Sequence, residues 1–292
     1  MNLLAGLEKF GLSTNGELDI TKDGSEAEKK PSVDQKETEK VLKEADFLIE
    51  KVIQCTVCDR KFKTLTVKTG KAKRLEPDDD LRPRFQGVDT IKYDVAACPF
   101  CGYSASHKDF EHLSSTQIKW IKEGVSANFK PTKDESFDEY TYDQAVDRYK
   151  LALVCTMTKK GKMSEKSYLC LKIAWLRRTQ YELIKDDTPE DLEKKKAVKA
   201  EWDGFYRQAY EGFVKASETE TPPFAGIDAN TLDFMLANMA MYFKDYSTAS
   251  KLVSRLLTSS GTSSRIKDKC FDMKEAIVAE VKRQKAENAK KV

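Results

Sequence analysis

Two Cys-x-x-Cys pairs constrain this chain more than any other feature: Cys55 and Cys58 in "CTVCDR", and Cys98 and Cys101 in "CPFCGYSA". A two-residue spacer lets both sulfurs of a pair face one ion. Four thiolates then make a closed tetrahedron for Zn(II), which brings no geometric preference of its own. The residue after each pair is placed to turn left-handed, so that backbone N–H groups point at sulfur. Gly102 does this without steric cost, and Asp59 is among the side chains that tolerate it best. Four cysteines leave no open coordination position, so the expected ion is structural zinc, with a rubredoxin-like iron centre as the rival use of the same ligands. His107 and His112 lie just beyond the second pair as candidate substitutes. Isolated histidines beside a complete cysteine set are expected to be surface or core residues instead.

Strand signals lead into both pairs. "FLIEKVIQC" is rich in β-branched and aromatic residues, "RKFKTLTVKTG" alternates until Gly70 breaks it, and "IKYDVAACPF" runs directly into the second pair. Residues 46–113 are therefore expected to form a small antiparallel zinc-ribbon or rubredoxin-like module. Residues 59–97 separate the pairs, more than the roughly 15 to 20 of many such sites. The inserted material is "EPDDDLRPRFQGVDTIKY", a charged segment rich in turn residues.

Helical signals begin at residue 114. Ser114 opens "SSTQIKWIKEG" as a cap and Gly124 closes it; "YDQAVDRYKLALVC" and "SEKSYLCLKIAWLRR" flank a short connection; Thr188 and Pro189 are a cap and first-turn pair. Tyr142, Ala145, Tyr149 and Ala152 are spaced like the second helix of a tetratricopeptide (TPR) unit. Tyr206, Ala209, Phe213 and Ala216 repeat those offsets, as do Tyr246, Ala249, Val253 and Leu256. The intervals between the sets are irregular against a period of about 34, and any amphipathic helix places apolar residues at such offsets. The fold class read from these signals is α+β, with the cysteine module followed by a mostly α, TPR-like domain over residues 114–292. Cys155, Cys170 and Cys270 fall in helical segments and read as small buried apolar residues.

Residues 1–45 are dominated by Lys, Glu, Asp, Ser and Gly after a short amphipathic start (Leu3, Leu4, Leu7, Phe10), and are expected to be a disordered segment. That start has neither the length of a membrane span nor the pattern of a secretory signal, so a cytoplasmic protein without a membrane partner is expected. A charged fraction of 34% with a net charge of +3 means that opposite charges are interspersed, and no strong overall field draws the chain to nucleic acid. Locally, Lys61, Lys63, Lys68, Lys71, Lys73 and Arg74, with Tyr93, Phe100 and Tyr103, have the make-up of a nucleic-acid surface, but Asp59, Glu76, Asp89 and Asp94 interleave with them. Asp78, Asp79 and Asp80 with Arg82 and Arg84 read as a divalent-ion or phosphate loop, or as a solvated run whose charges pair with one another. Enzyme signatures are missing: Gly70-Lys71 lacks the rest of a phosphate loop, and no metalloprotease helix, nucleophile elbow or dinucleotide fingerprint occurs. The expected role is a non-catalytic interaction or scaffold protein whose helical body receives a protein or peptide.

"CTVCDRKFKTLTVKTGKAKR", "DLRPRFQGVDTIKYDVAACPFCGYSA" and "YFKDYSTASKLVSRLL" together resemble an uncharacterised bacterial family catalogued as domain of unknown function 2225, from about Phe47 onward. The resemblance implies a zinc-ribbon head on a TPR-like helical body. It also implies that Asp80, Leu81, Arg82, Pro83 and Arg84 belong to a family signature, which makes Asp80, Arg82 and Arg84 a candidate binding loop. The family carries no established activity to transfer.

Overall fold

The first cysteine pair sits at the tip of a hairpin. β1 (Leu48–Gln54) and β2 (Lys61–Val67) pair antiparallel, with Leu48 opposite Val67 and Gln54 opposite Lys61. β2 follows the alternation read from the sequence in its first half, where Phe62 and Thr64 are buried, and departs from it at Leu65, which is buried on the other face. A second, shorter hairpin pairs β3 (Val95–Ala97) with β4 (Ser104–Ser106) and carries the second cysteine pair at its tip. The cysteine region is thus built from two separate two-stranded sheets. The strand expected across "IKYDVAACPF" is confined to Val95–Ala97, because Thr90–Tyr93 forms a 3₁₀ turn whose N-cap, Asp89, accepts the Ile91 N–H, and the cysteine turn follows from residue 98. A side chain that takes a backbone donor locally competes with the ladder for it.

The structure is a computed structural model that describes residues 43–289. The expectations for the N-terminal segment up to residue 42 lie outside the described residues, and those described fall within one compact unit.

Seven α-helices follow among them. α1 (Ser115–Ile121) starts from Ser114 in a capping box with Gln117. It runs on into a π-helical turn (Lys122–Ser126), so Gly124 lies inside the helical segment rather than ending it. α2 (Tyr142–Thr158) is boxed by Thr141 and Gln144. α3 (Met163–Leu183) leads to the long α4 (Pro189–Thr219), where Thr188 accepts the Asp191 N–H and Pro189 occupies the first turn, where its missing donor costs nothing. α5 (Ala229–Tyr242), α6 (Tyr246–Thr258) and α7 (Ser264–Ala289) complete the order.

Each helix from α2 onward packs on the next, and α5 also meets α7. The three periodic sets account for this: Ala145, Tyr149 and Ala152, then Tyr206, Ala209, Phe213 and Ala216, then Tyr246, Ala249, Val253 and Leu256 are all buried, while Tyr142 is half-buried. Gly212 lets α4 approach α3 closely, since a Cβ there would collide with the Ser167 hydroxyl. β3 and β4 pack directly on α2, and Ser104 Oγ donates to the Arg148 carbonyl of that helix at 3.0 Å. No helix among the described residues is long and apolar enough to cross a membrane.

Candidate metal centre

The two hairpin tips meet. Sγ of Cys55 lies 3.6 Å from that of Cys101, Sγ of Cys58 lies 3.7 Å from that of Cys98, and all four sulfurs lie within 4.8 Å of one another. The turns are copies. In the first, Cys55 N–H donates to the Arg60 carbonyl (2.9 Å) and Asp59 N–H to the Cys55 carbonyl (2.8 Å); in the second, Cys98 N–H donates to Tyr103 (2.8 Å) and Gly102 N–H to Cys98 (3.0 Å). Both closing residues are left-handed as their chemistry anticipates, Asp59 at φ 61° and Gly102 at φ 75°. They differ in surroundings. Asp59 is exposed, whereas a Cβ on Gly102 would meet the Phe129 ring at 2.5 Å, so only the second turn requires glycine on two counts.

Cys55, Cys98 and Cys101 are buried and Cys58 is partly so. Val57, Phe62, Tyr103, Phe110 and Ile121 form the apolar shell. The Tyr103 hydroxyl and Thr56 Oγ1 both donate to the Phe110 carbonyl, each at 3.1 Å. Hydrogen bonds from Cys101 and Cys55 hold Cys98 down to about 2. The hydrogen bonds to Cys55 and Cys98 push Cys101 up. At Cys55 the bond to Cys101 pulls down, but the bond to Cys98 and burial outweigh it and raise the thiol to about 12. A dication that takes the set as thiolates must release the protons that the thiols carry. The donors are soft, four in number and convergent, which fits Zn(II) or iron in a closed tetrahedron. Among the described residues no His, Asp or Glu joins the group. His107 is half-buried and His112 exposed.

A neighbour that the sequence reading left without a role is Cys155 on α2. Its sulfur accepts the Ser104 N–H at 3.4 Å and contacts the Gly102 carbonyl at 3.6 Å, tying the second cysteine turn to the helix. A lone cysteine in a helix carries no signal from which this could be foreseen.

The inserted segment goes elsewhere. Asp80 and Arg82 are buried, Arg82 to 1% exposure, while Asp79 stays exposed and Asp78 and Arg84 are half-buried, and the charges of the run pair. Arg82 Nε donates to Asp78 (2.5 Å), its Nη1 to Thr179 (2.8 Å) and its Nη2 to both oxygens of Glu182 (3.0 Å each). Arg84 bonds Asp78 at 2.8 Å and Glu182 at 3.4 Å. Asp80 accepts from Trp175 Nε1 (2.8 Å) and Arg178 Nη1 (2.9 Å), and Arg178 also pairs with Asp78. Leu81 turns left-handed between the two inward-facing residues, at φ 67°. Trp175, Arg178, Thr179 and Glu182 follow one another at helical spacing along α3, a hydrogen-bonding stripe that sequence reasoning passed over.

The aromatic residues offered as a stacking surface are largely withdrawn. Tyr93 is buried with its hydroxyl on Glu44 (2.9 Å), Tyr103 is buried as described, and Phe100 lies beneath the Arg60 guanidinium at 4.5 Å. No curated protein and no solved structure matches the chain. A family model described as "Uncharacterized protein conserved in bacteria (DUF2225)" matches residues 48–277, and the chain belongs to that family.

Proposed function

We propose that this protein is a non-catalytic, cytoplasmic zinc-binding scaffold, in which Cys55, Cys58, Cys98 and Cys101 hold structural Zn(II) at one end of a TPR-like helical body that receives a protein or peptide. The observation that carries the reading is the convergence of four thiols within 4.8 Å at the meeting of two matched turns. Filled as a tetrahedron, such a site has no position for water or substrate, so the ion's contribution is to cross-link the two hairpins. The sequence of helix pairs α3–α4 and α5–α6, with α5 also touching α7, supports a stacked arrangement of helical hairpins, an architecture whose surfaces suit extended partners. A nucleic-acid role is supported less well, because Tyr93 and Tyr103 face the core and bases need exposed rings to stack on.

Elemental analysis and a visible spectrum of protein purified without added metal or chelator, from cells supplied with both iron and zinc, test the assignment. One zinc per chain and no colour is expected. Stoichiometric iron with thiolate charge-transfer bands would make the centre an electron carrier and replace this reading.

A further inference from the structure

Beside the second cysteine turn, a cleft of about 560 Å³ opens between α2 and the chain that leads into it. Its walls are largely carbon, with Pro99, Phe129, Phe137, Tyr140 and Leu151 among them. The leading chain is held in place: Thr132 N–H donates to the Pro99 carbonyl at 2.8 Å, and the Asp134 carboxylate accepts the Lys63 N–H at 3.1 Å.

Lys63, Lys133, Asp134, Glu135, Asp147 and Arg148 line the cleft as well. Arg148 of α2 lies with its guanidinium 3.9 Å from the centre of the Tyr140 ring, and its Nη1 is buried without a hydrogen-bond partner. Burial acts against its charge and only Tyr140 acts in its favour. The other arginines withdrawn from solvent are each paired with at least two carboxylates: Arg82 with Asp78 and Glu182, Arg177 with Asp143 and Glu201, Arg178 with Asp78 and Asp80. Of the acids lining the cleft, Asp134 is engaged by Lys63, and Glu135 and Asp147 are exposed to solvent. A guanidinium drawn partly out of water, with one buried N–H group lacking an acceptor, is unfavourable for the protein alone, and stacking on an aromatic face orients the planar fork that suits bidentate recognition of carboxylate or phosphate.

We infer that the cleft binds a small anionic ligand, a carboxylate or phosphate group carried on a flat apolar body, with Arg148 as the anchor for the anion. The volume is within the usual range of roughly 300 to 1,000 Å³ for small-molecule sites. The aromatic walls supply the surface for the body, and Cys98 of the cysteine cluster lines one side of the cleft.

Calorimetric titration of the full chain with sodium benzoate and with phenyl phosphate, using benzyl alcohol as the uncharged control, tests this. Saturable binding of at least one aromatic anion is expected, weakened at least about tenfold in Arg148→Met, with benzyl alcohol failing to bind; the anion preferred separates carboxylate from phosphate. Since Arg148→Met removes an unpaired charge, its melting temperature in the absence of ligand is expected to equal or exceed that of the wild type. Should that variant not fold, Leu151→Trp, which fills the cleft and leaves Arg148 in place, must abolish binding. No saturable binding of either anion, equal binding by wild type and variant, or equal binding of benzyl alcohol overturns the inference.

Discussion

Two polar clusters hold the β hairpins and the inserted segment in place, and they are neutralised in opposite ways. In the clasp between the segment and α3, Asp78, Asp80 and Glu182 face Arg82, Arg84 and Arg178, so carboxylates and guanidiniums match one for one and the cluster closes on its own side chains. In the cysteine cluster four groups of like kind converge, and only a bound cation can balance them once they ionise. The first is a permanent part of the fold. On the reading proposed above, the second makes the joining of the two hairpin tips depend on an ion, beside the apolar shell of Val57, Phe62, Tyr103, Phe110 and Ile121.

The sharpest way to break this contrast is Cys98→Ser. Structural zinc supplies on the order of 10 kcal/mol or more in small zinc modules, so the variant is expected to lose its metal and to open at β1–β4 while α3 and α4 keep their helical signal. Elemental analysis with limited proteolysis and far-ultraviolet circular dichroism reads all three. Unchanged metal content with unchanged melting would place the cysteines with the self-sufficient clusters.

Arg82→Met is the next largest. It removes the buried guanidinium and its bonds to Asp78, Thr179 and Glu182, while Arg84 and Arg178 stay paired with the same acids, so a loss of about 1.5–3 kcal/mol is expected. Urea denaturation should show that loss with the metal content intact, the reverse of the cysteine variant. A change below about 1 kcal/mol would mean that Arg84 and Arg178 compensate fully.

A smaller effect is expected from pH. Burial pushes the Asp78 carboxyl up, but Arg84, Arg82 and Arg178 outweigh it and hold it below its ordinary range. A carboxylate whose folded value lies below its unfolded value of about 3.9 stabilises the fold fully above that pH, and the contribution disappears as pH falls through the folded value. The stability difference between wild type and Asp78→Asn should therefore be constant above about pH 5 and narrow below about pH 4, as measured by denaturant titrations across that range. A gap that persists at low pH would assign Asp78 a steric rather than an ionic role.

Much of the cysteine site was legible because its requirements are local. Spacer length and a left-handed position are properties of five or six consecutive residues, and Asp59 and Gly102 adopt the conformation that their chemistry favours. The helices were legible for a similar reason: Thr188 with Pro189, Ser114 with Gln117, and the periodic Tyr and Ala positions are signals within one to four turns. Gly124 misled because a π turn absorbed it. Tyr93 and Tyr103 misled because an aromatic ring in a basic segment has the same composition whether it faces solvent or the core.

The sequence by itself therefore determined the four-cysteine cluster, the two turns that present it, the helical body and the family. Tertiary structure alone decided the destinations of the charges and of the lone cysteine. Arg82 meets Glu182, Asp80 meets Trp175 and Tyr206, and Cys155 meets Gly102 across separations that no local pattern encodes. Burial decides whether such a group needs a partner, and the docking of α2, α3 and α4 decides which groups come within reach. The same docking satisfies Arg82 and leaves Arg148 stacked on Tyr140 without a carboxylate, although both began as ordinary arginines in a chain of interspersed charge.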